Sequence, residues 1–403
     1  MKKSFFIPLI ACILLVSCSN SINIKTNPDY TPYVNEAPKI SQGMGRVIYL
    51  NNKDELWNWG KFATDGEIVL KQSNVPLKIR NLKIHDLYFL RGSVDKKIND
   101  VLLLNDDMEL LLMSINNFKL SIKKLPVADD IKRVFVATFD LFSKEQVVFC
   151  QKSDNSIWEI TGLENVESSK STIFKLPDGC GEVKDIGIYG TIICENGDVW
   201  QQDFFSPPNS TVSEDYRKID ISNVKDVQGR DNTFLAVKND GTVWGWGVNN
   251  ELISKDLSVH YPEKPVKIPG LDNITQISCS NHALALSENG EVYEWGIDDT
   301  TNIKLIKYSN SYAKIFEINQ TKAERQKDMT DILGKMSSAT HLQFPPHKID
   351  LKLNSEIKYI YSGDCFSGLM TSGGELLCRG SNYCGQLGIG SEFDKIKFTE
   401  IKF

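Results

Sequence analysis

The most regular feature of the chain is a polar, an aliphatic and a large apolar residue in succession, a pattern that recurs seven times. Its clearest copies are NDGTVWGWG at 239–247 and ENGEVYEWG at 288–296. A turn-forming pair such as Asn-Gly or Asp-Gly precedes the best copies, and an apolar run precedes the turn, so each copy predicts a β-hairpin. The large apolar residues are Trp57, Leu111, Trp158, Trp200, Trp244, Tyr293 and Leu377.

The spacing of these copies predicts the architecture. Most neighbouring copies are roughly forty to fifty residues apart, a period typical of propellers and solenoids. One further strand is expected before each hairpin and another after it, which gives four strands per unit. Sheets that are apolar on both faces are buried when they pack around an axis. We therefore predict an all-β, seven-bladed β-propeller of four-stranded blades over residues 39–403, closed by the C-terminal strand at 398–403 completing the first blade.

The last two copies lie much farther apart, which predicts an insertion at about 300–346 between blades six and seven. Its residues 321–324 resemble a capping box, the sequence that begins a helix. Four apolar residues then follow at helical spacing, and they predict a short amphipathic helix. Its apolar stripe either packs on the propeller or binds a partner, and it consists of Met329, Ile332, Leu333 and Met336.

A second candidate for partner binding is the pair Phe204 and Phe205, which stands beside Pro207 and Pro208 in a predicted blade loop. Aromatic side chains dominate the energetics of protein interfaces, so the pair is a candidate recognition anchor. The alternative is that Phe204 packs beneath its own loop.

The N-terminal segment predicts export and a lipid anchor. Residues 1–17 combine two lysines with a short apolar run, as secretory signals do. The sequence Leu15-Val16-Ser17-Cys18 resembles a bacterial lipobox, which implies cleavage before Cys18 and diacylation of its thiol. Residues 18–38 form a polar tether. We expect a bacterial cell envelope protein bound to the bilayer through Cys18, at the outer rather than the inner membrane in a Gram-negative cell.

Charge and composition argue against several other classes of function. The net charge of −6 is spread along the chain and disfavours nucleic acid as a partner. The histidines and cysteines lack metal-site spacing, and no nucleophile elbow is present, so we expect no metal, no cofactor and no catalytic residues. Nine cysteines are present. Two disulfides, Cys180–Cys194 and Cys378–Cys384, are open possibilities in an oxidising compartment.

Several segments resemble the repeat of the regulator of chromosome condensation family. They are DNTFLAVKNDGTVWGWGVNN at 231–250, SNHALALSENGEVYEWG at 280–296 and GELLCRGSNYCGQLGIG at 374–390. The resemblance implies a seven-bladed propeller. Eukaryotic members act as nucleotide exchange factors for a small GTPase, a partner that an exported lipoprotein would not meet. A propeller of this type also inhibits β-lactamase.

These observations predict a membrane-anchored propeller that binds another protein or serves as a scaffold, without catalysis. One alternative is an inhibitor of an extracytoplasmic enzyme such as a β-lactamase. A second is an enzyme that acts on envelope glycans, which would require two carboxylates facing each other across a cleft.

Overall fold

A computed structural model describes most of the chain from Lys39 to Phe403. Thirty strands and no α-helix are present in this described part. It also contains no helix of the length and apolarity required to cross a bilayer. The residues left out of the description are 1–38, 44–45, 52, 54, 62–63, 66–67, 71, 80–83, 90–100, 117–118, 127–129, 139–145, 164–165, 167–168, 188–189, 203–215, 231, 249–251, 255–261, 263, 281, 298–341 and 364–365.

The strands form seven antiparallel sheets, here numbered blades 1 to 7 in chain order. The first half comprises β1 Lys39–Gly43, β2 Arg46–Leu50, β3 Leu56–Lys61, β4 Thr64–Asp65, β5 Ile68–Val69, β6 Gln72–Lys78, β7 Ile84–Phe89, β8 Val101–Asn105, β9 Leu110–Asn116, β10 Lys119–Lys124, β11 Ile131–Thr138, β12 Gln146–Lys152, β13 Ile157–Thr161 and β14 Lys170–Ile173. The second half comprises β15 Val183–Ile186, β16 Ile192–Cys194, β17 Val199–Gln202, β18 Tyr216–Lys218, β19 Val224–Arg230, β20 Thr233–Lys238, β21 Val243–Gly247, β22 Val266–Lys267, β23 Ile274–Cys279, β24 His282–Ser287, β25 Val292–Ile297, β26 Leu342–Lys348, β27 Ile357–Ser362, β28 Phe366–Thr371, β29 Leu376–Gly380 and β30 Lys395–Glu400.

Blade 1 has the strand order β1-β2-β3-β6, and every later blade runs through its four strands in sequence order. The short hairpin β4–β5 leaves blade 1 and extends the outer edge of blade 2 through the pairing of Ile68 with Lys119. The end of the propeller that carries the hairpins between second and third strands is called the turn face here. The opposite end is called the loop face.

Seven clusters of buried apolar residues fill the seven seams between neighbouring blades of the described structure. The second strands show how the sequence achieves this. In β8, Val101 and Leu103 lie in the seam with blade 1, whereas Leu102 and Leu104 lie in the seam with blade 3. Successive side chains of a strand point to opposite faces, so a continuous apolar run supplies two seams. This arrangement confirms the predicted seven-bladed propeller.

One hydrogen bond recurs in all seven blades and explains the aliphatic position of the repeat. The residue after each fourth strand donates its backbone N–H to the carbonyl of the aliphatic residue, at 2.7–2.9 Å. The aliphatic side chain itself is fully buried in each blade. The donor and acceptor pairs are Ile79–Leu56, Leu125–Leu110, Phe174–Ile157, Ile219–Val199, Ile268–Val243, Ile349–Val292 and Ile401–Leu376.

The prediction that the C-terminal strand completes the first blade is wrong. Strand β30 pairs with β29 of its own blade, and blade 1 receives its outer strand from β6. In blade 1 the chain reaches β6 a short distance after β3, and a short connection costs less chain entropy than a strand returning from the far end. Direct packing of blade 7 on blade 1 closes the ring instead. Val47, Tyr49 and Trp59 of blade 1 are buried in one cluster with residues of blade 7, including Ile401.

The predicted place of the insertion also needs correction. Residues 298–341 connect β25 to β26, which are paired strands of blade 6, so the insertion interrupts that blade rather than separating blades six and seven. Strand β26 begins at Leu342, so the last part of the predicted insertion is strand. The predicted amphipathic helix lies outside the described residues.

The cysteines in the described part of the chain form one disulfide and four buried thiols. Cys180, before blade 4, forms a disulfide with Cys194 of β16 across a Cα–Cα distance of 6.2 Å. The alternative pairing of Cys378 with Cys384 is wrong, because both are thiols packed in the interior. Burial raises the pKa of Cys150 to about 12 and also raises that of Cys378. These two thiols are therefore protonated and unreactive near neutral pH.

Candidate protein-binding surface

A long loop at 381–394 follows β29 on the loop face and is organised around Asn382, which is fully buried. The backbone N–H of Asn382 donates to Asp394 Oδ1 at 2.9 Å, and its Oδ1 accepts from the backbone N–H of Leu387 at 2.9 Å. Its side-chain nitrogen donates to the carbonyls of Ser391 and Phe393. One side chain thus fixes both ends of the loop.

The same loop forms hydrogen bonds with blade 1. The indole nitrogen of Trp59 donates to the Gln386 carbonyl at 2.9 Å, and the Gly390 N–H donates to the Asn74 carbonyl at 2.7 Å. Gly385 has a φ of 72°, and a Cβ there would lie 2.5 Å from the Ser73 carbonyl oxygen, so only glycine fits. The glycines of GQLGIG therefore allow close packing across the seam between blades 7 and 1.

Two aromatic side chains project from this rigid loop. Phe393 is 78% exposed and Tyr383 is 40% exposed. Tyr383 follows Asn382 in the chain, and the Asn382 side chain is hydrogen-bonded to the Phe393 carbonyl. Val75 of β6 is 43% exposed and lies beside Gly390 across the seam. Large apolar side chains held in solvent by a fixed loop are typical of protein interaction sites.

Three polar residues border the apolar part. The Lys61 ammonium lies 5.7 Å from the centre of the Tyr383 ring, and the Gln72 amide donates to Glu392 Oε1 at 3.4 Å. Lys61 and Gln72 are themselves cross-strand partners in blade 1. The seam surface, as used below, consists of Val75, Tyr383 and Phe393 with Lys61, Gln72 and Glu392.

The polar position of the repeat has a structural role. In four blades a carboxylate at this position accepts from a lysine of the fourth strand: Glu55 from Lys78, Glu109 from Lys124, Asp198 from Lys218 and Glu291 from Lys348. The lysine hydrogen bonds lower the pKa of the Glu55, Glu109 and Glu291 carboxyl groups. In blades 3 and 5 the polar residue is a hydroxyl that accepts from the indole nitrogen of the anchor tryptophan. These carboxylates and hydroxyls of the turn face are thus paired within their own blades.

A cleft of about 450 Å³ opens on this rim between blades 4 and 5, with Lys238 and Trp244 in its walls. Its other lysine, Lys218, lies 2.6 Å from Asp198. The Lys238 ammonium lies 5.4 Å from the centre of the Trp244 ring. The Lys218 ammonium is therefore paired within its own blade.

One buried pair resembles a catalytic dyad. His282 Nε2 and Ser367 Oγ are 2.7 Å apart between blades 6 and 7, but both side chains are almost completely enclosed. The neighbouring Ser278 and Ser362 hydroxyls, 3.0 Å apart, lie in the same buried seam. A base and a nucleophile enclosed in this way stabilise the seam rather than act on a ligand.

Among the described residues, the innermost strands carry three carboxylates, Asp86, Asp185 and Asp226. Asp86 accepts from the Tyr88 hydroxyl at 2.7 Å, and Asp226 accepts from the Gln228 amide at 3.1 Å. Within the described ranges, no group of three histidine, cysteine or acidic side chains could hold a metal ion.

Every site residue named from the sequence lies outside the described part of the chain. This holds for the lipidation site Cys18 and for the possible partner-binding residues Phe204, Phe205, Met329, Ile332, Leu333 and Met336. They remain predictions. Sequence reasoning missed Tyr383 and Phe393, because the segment containing GQLGIG was used only as evidence for the repeat. The available signal was two aromatic residues flanking a glycine-rich loop.

No family model matches the chain. Protein pim1 of Schizosaccharomyces pombe is 35% identical over 89 residues, which are 18% of this chain and 16% of that protein. The mitochondrial RCC1 domain-containing protein RUG3 of Arabidopsis thaliana is 29% identical over 160 residues, 38% of this chain and 28% of the relative. The chain therefore spans less than a third of each of these curated relatives.

Among solved structures, human WBSCR16 superposes with a TM-score of 0.55 and 14% identity, covering 87% of this chain and 94% of the human chain. At that identity the likeness concerns the fold alone. The seven sheets, the buried clusters between them and this likeness define the chain as a seven-bladed β-propeller. Its repeats and its sequence relatives make it an RCC1-like β-propeller.

Proposed function

We propose that the protein is a binding scaffold whose partner is another protein and whose binding site includes the seam surface. The observation that carries this proposal is the exposure of Phe393 and Tyr383 on a loop whose conformation is fixed by a buried asparagine. A rigid loop loses little conformational entropy on binding, so its aromatic side chains contribute most of their contact energy to the complex. The relatives' propeller fold, with loops on rigid blades, supports a binding role without specifying the ligand.

The proposal includes anchoring in a bacterial envelope through Cys18. The lipobox-like sequence supports it, and so does the Cys180–Cys194 disulfide, since disulfides persist in oxidising compartments. Strand β1 begins at the turn face, where Lys39 pairs with Leu50 beside a hairpin. A tether from Cys18 would therefore join the propeller at the turn face, at the opposite end from the seam surface.

Site-specific photocrosslinking in native membranes tests this function. A photoreactive phenylalanine analogue replaces Phe393 in one version and Ile173 in the other, because Ile173 is similarly exposed, at 67%, on a distant blade. A discrete protein adduct from position 393 and none from position 173 is the expected result. Identical adducts from both positions, or none from 393, would exclude the seam surface as the binding site. A Cys18→Ser version shows whether the adduct requires the anchor.

The second candidate, an inhibitor of an extracytoplasmic enzyme such as a β-lactamase, is favoured by the same exposed aromatic residues. Tight protein inhibitors insert rigid aromatic anchors into a cleft of the enzyme. Inhibition of a panel of secreted hydrolases by the purified protein, lost in Phe393→Ala, is the expected result for this alternative. The hydrogen bonds of Asp86 and Asp226 give no support to a glycan-active enzyme.

A further inference from the structure

The exposed area of the seam surface indicates the size of what it recognises. From the exposed fractions of Phe393, Tyr383 and Val75, the apolar part is roughly 300 Å² for side chains of ordinary size. A standard protein interface buries about 800 Å² on each partner, so this patch accommodates only one or two partner side chains. It has the dimensions of a site for a short segment, or of the energetic centre of a larger contact.

The shape of the site is fixed before binding. The loop ends are joined by the hydrogen bonds of Asn382, and Gly390 is tied to blade 1 through the Asn74 carbonyl. Val75 belongs to β6, whose pairing with β3 fixes it relative to the loop. The apolar residues therefore come from two blades but keep a constant separation.

The two charged side chains beside the patch, Glu392 and Lys61, differ in the contacts they already make. Glu392 accepts a hydrogen bond from Gln72, which occupies one of its oxygens. Lys61 has its ammonium near the Tyr383 ring, and among the described residues no carboxylate lies within ion-pair distance of it. An ammonium beside an aromatic ring and next to an apolar patch retains its attraction for an incoming carboxylate.

We infer that the seam surface binds a short segment of a partner protein that presents an apolar side chain next to a carboxylate. The apolar side chain packs between Phe393 and Tyr383, and the carboxylate pairs with Lys61. This inference rests on the proposed function and specifies the partner's chemistry at the same site. The Lys61 ammonium beside the Tyr383 ring favours an acidic residue next to the apolar side chain, and the small patch favours a short segment over a long apolar helix.

Selection from a displayed library of random peptides tests the inference on the whole folded propeller. Peptides are selected on the natural protein and, in parallel, on Phe393→Ala and Lys61→Glu, with Ile173→Ala as a matched control for loss of an exposed apolar residue. The expected consensus is an aromatic or aliphatic residue close to Asp or Glu. Selected peptides should bind Phe393→Ala at least tenfold more weakly in fluorescence anisotropy, whereas the Ile173→Ala affinity should be unchanged.

Charge reversal gives the decisive comparison. Lys61→Glu should exchange the acidic preference for Lys or Arg while keeping the apolar position. Unchanged melting temperatures would show that the variants are folded, as expected for changes at the surface. A consensus without an acidic residue, or one that is identical on Lys61→Glu, would overturn the inference. If position 393 still crosslinks a protein in membranes, the proposed function survives that result; if it does not, both fail.

Discussion

No strand is shared between the first and last blades, so the ring depends on the packing of blades 7 and 1, and single substitutions in that seam should weaken it. Ile401 is 3% exposed in the cluster that joins the two blades. Replacing a buried isoleucine with alanine removes apolar contact and leaves a cavity, at a cost of about 2–5 kcal/mol. The Phe403 ring, about half exposed, lies 5.3 Å from Trp57 and 5.4 Å from Tyr49 between ring centres. From its partial burial and these ring contacts, we expect Phe403→Ala to lower the free energy of unfolding by about 1–2 kcal/mol.

These energies translate into a measurable change in melting temperature. For a two-state propeller of this length the unfolding entropy corresponds to roughly 0.8 kcal/mol per degree. We therefore expect Ile401→Ala to lower the melting temperature by about 4 °C and Phe403→Ala by about 2 °C. Lys402→Ala is the matched control, since its side chain is 76% exposed between the two and should change the temperature by less than about 1 °C.

Hydrogen exchange identifies where the structure loosens. Ile401→Ala should accelerate exchange in β2 and β3 and in β27 to β29, which border the seam. The equivalent substitution Ile268→Ala, at a fully buried position, should instead affect the seam between blades 5 and 6. If Ile401→Ala behaves like Lys402→Ala, or if exchange rises evenly over all blades, then side-chain packing at this seam does not close the ring.

Three further predictions concern other parts of the propeller. Gly368→Ala should lower the free energy of unfolding by more than about 3 kcal/mol, because its Cβ would lie 1.6 Å from the Tyr361 ring. A variant that unfolds at the same denaturant concentration as the natural protein would refute that packing. Cys180→Ser should cost about 3 kcal/mol by releasing the loop of 14 residues closed with Cys194, and a reductant should destabilise the natural protein equally but leave the variant unchanged. The hydrogen bond from Lys348 lowers the pKa of Glu291 below 4.5. The stability that this bond contributes is therefore complete above that pH and is lost as the pH falls through the pKa of the folded state. The melting temperatures of the natural protein and Glu291→Gln should converge on acidification, and a constant difference would contradict this.

The sequence predicted the strands well, because the signals for them are local. The Asn-Gly and Asp-Gly turns, the apolar runs and the recurring aliphatic residue all act within one blade. The burial of Val243 and the hydrogen bond from Ile268 to its carbonyl show why the aliphatic position is constant. The interpretation of ring closure was wrong, since a fourth strand near the chain end could in principle pair with either the first or the last blade.

The sequence by itself determined the number of blades, the four-strand unit and the apolar character of both faces of each sheet. Only the tertiary structure decided how the ring closes and which side chains remain exposed. The bond between Trp59 and Gln386 joins residues 327 positions apart, and no local pattern predicts such a contact. Phe393 and Leu387 belong to one loop, but Leu387 is buried against blade 1 and Phe393 is in solvent. Exposure depends on what the neighbouring blade covers, and that is fixed only when the first and last blades meet.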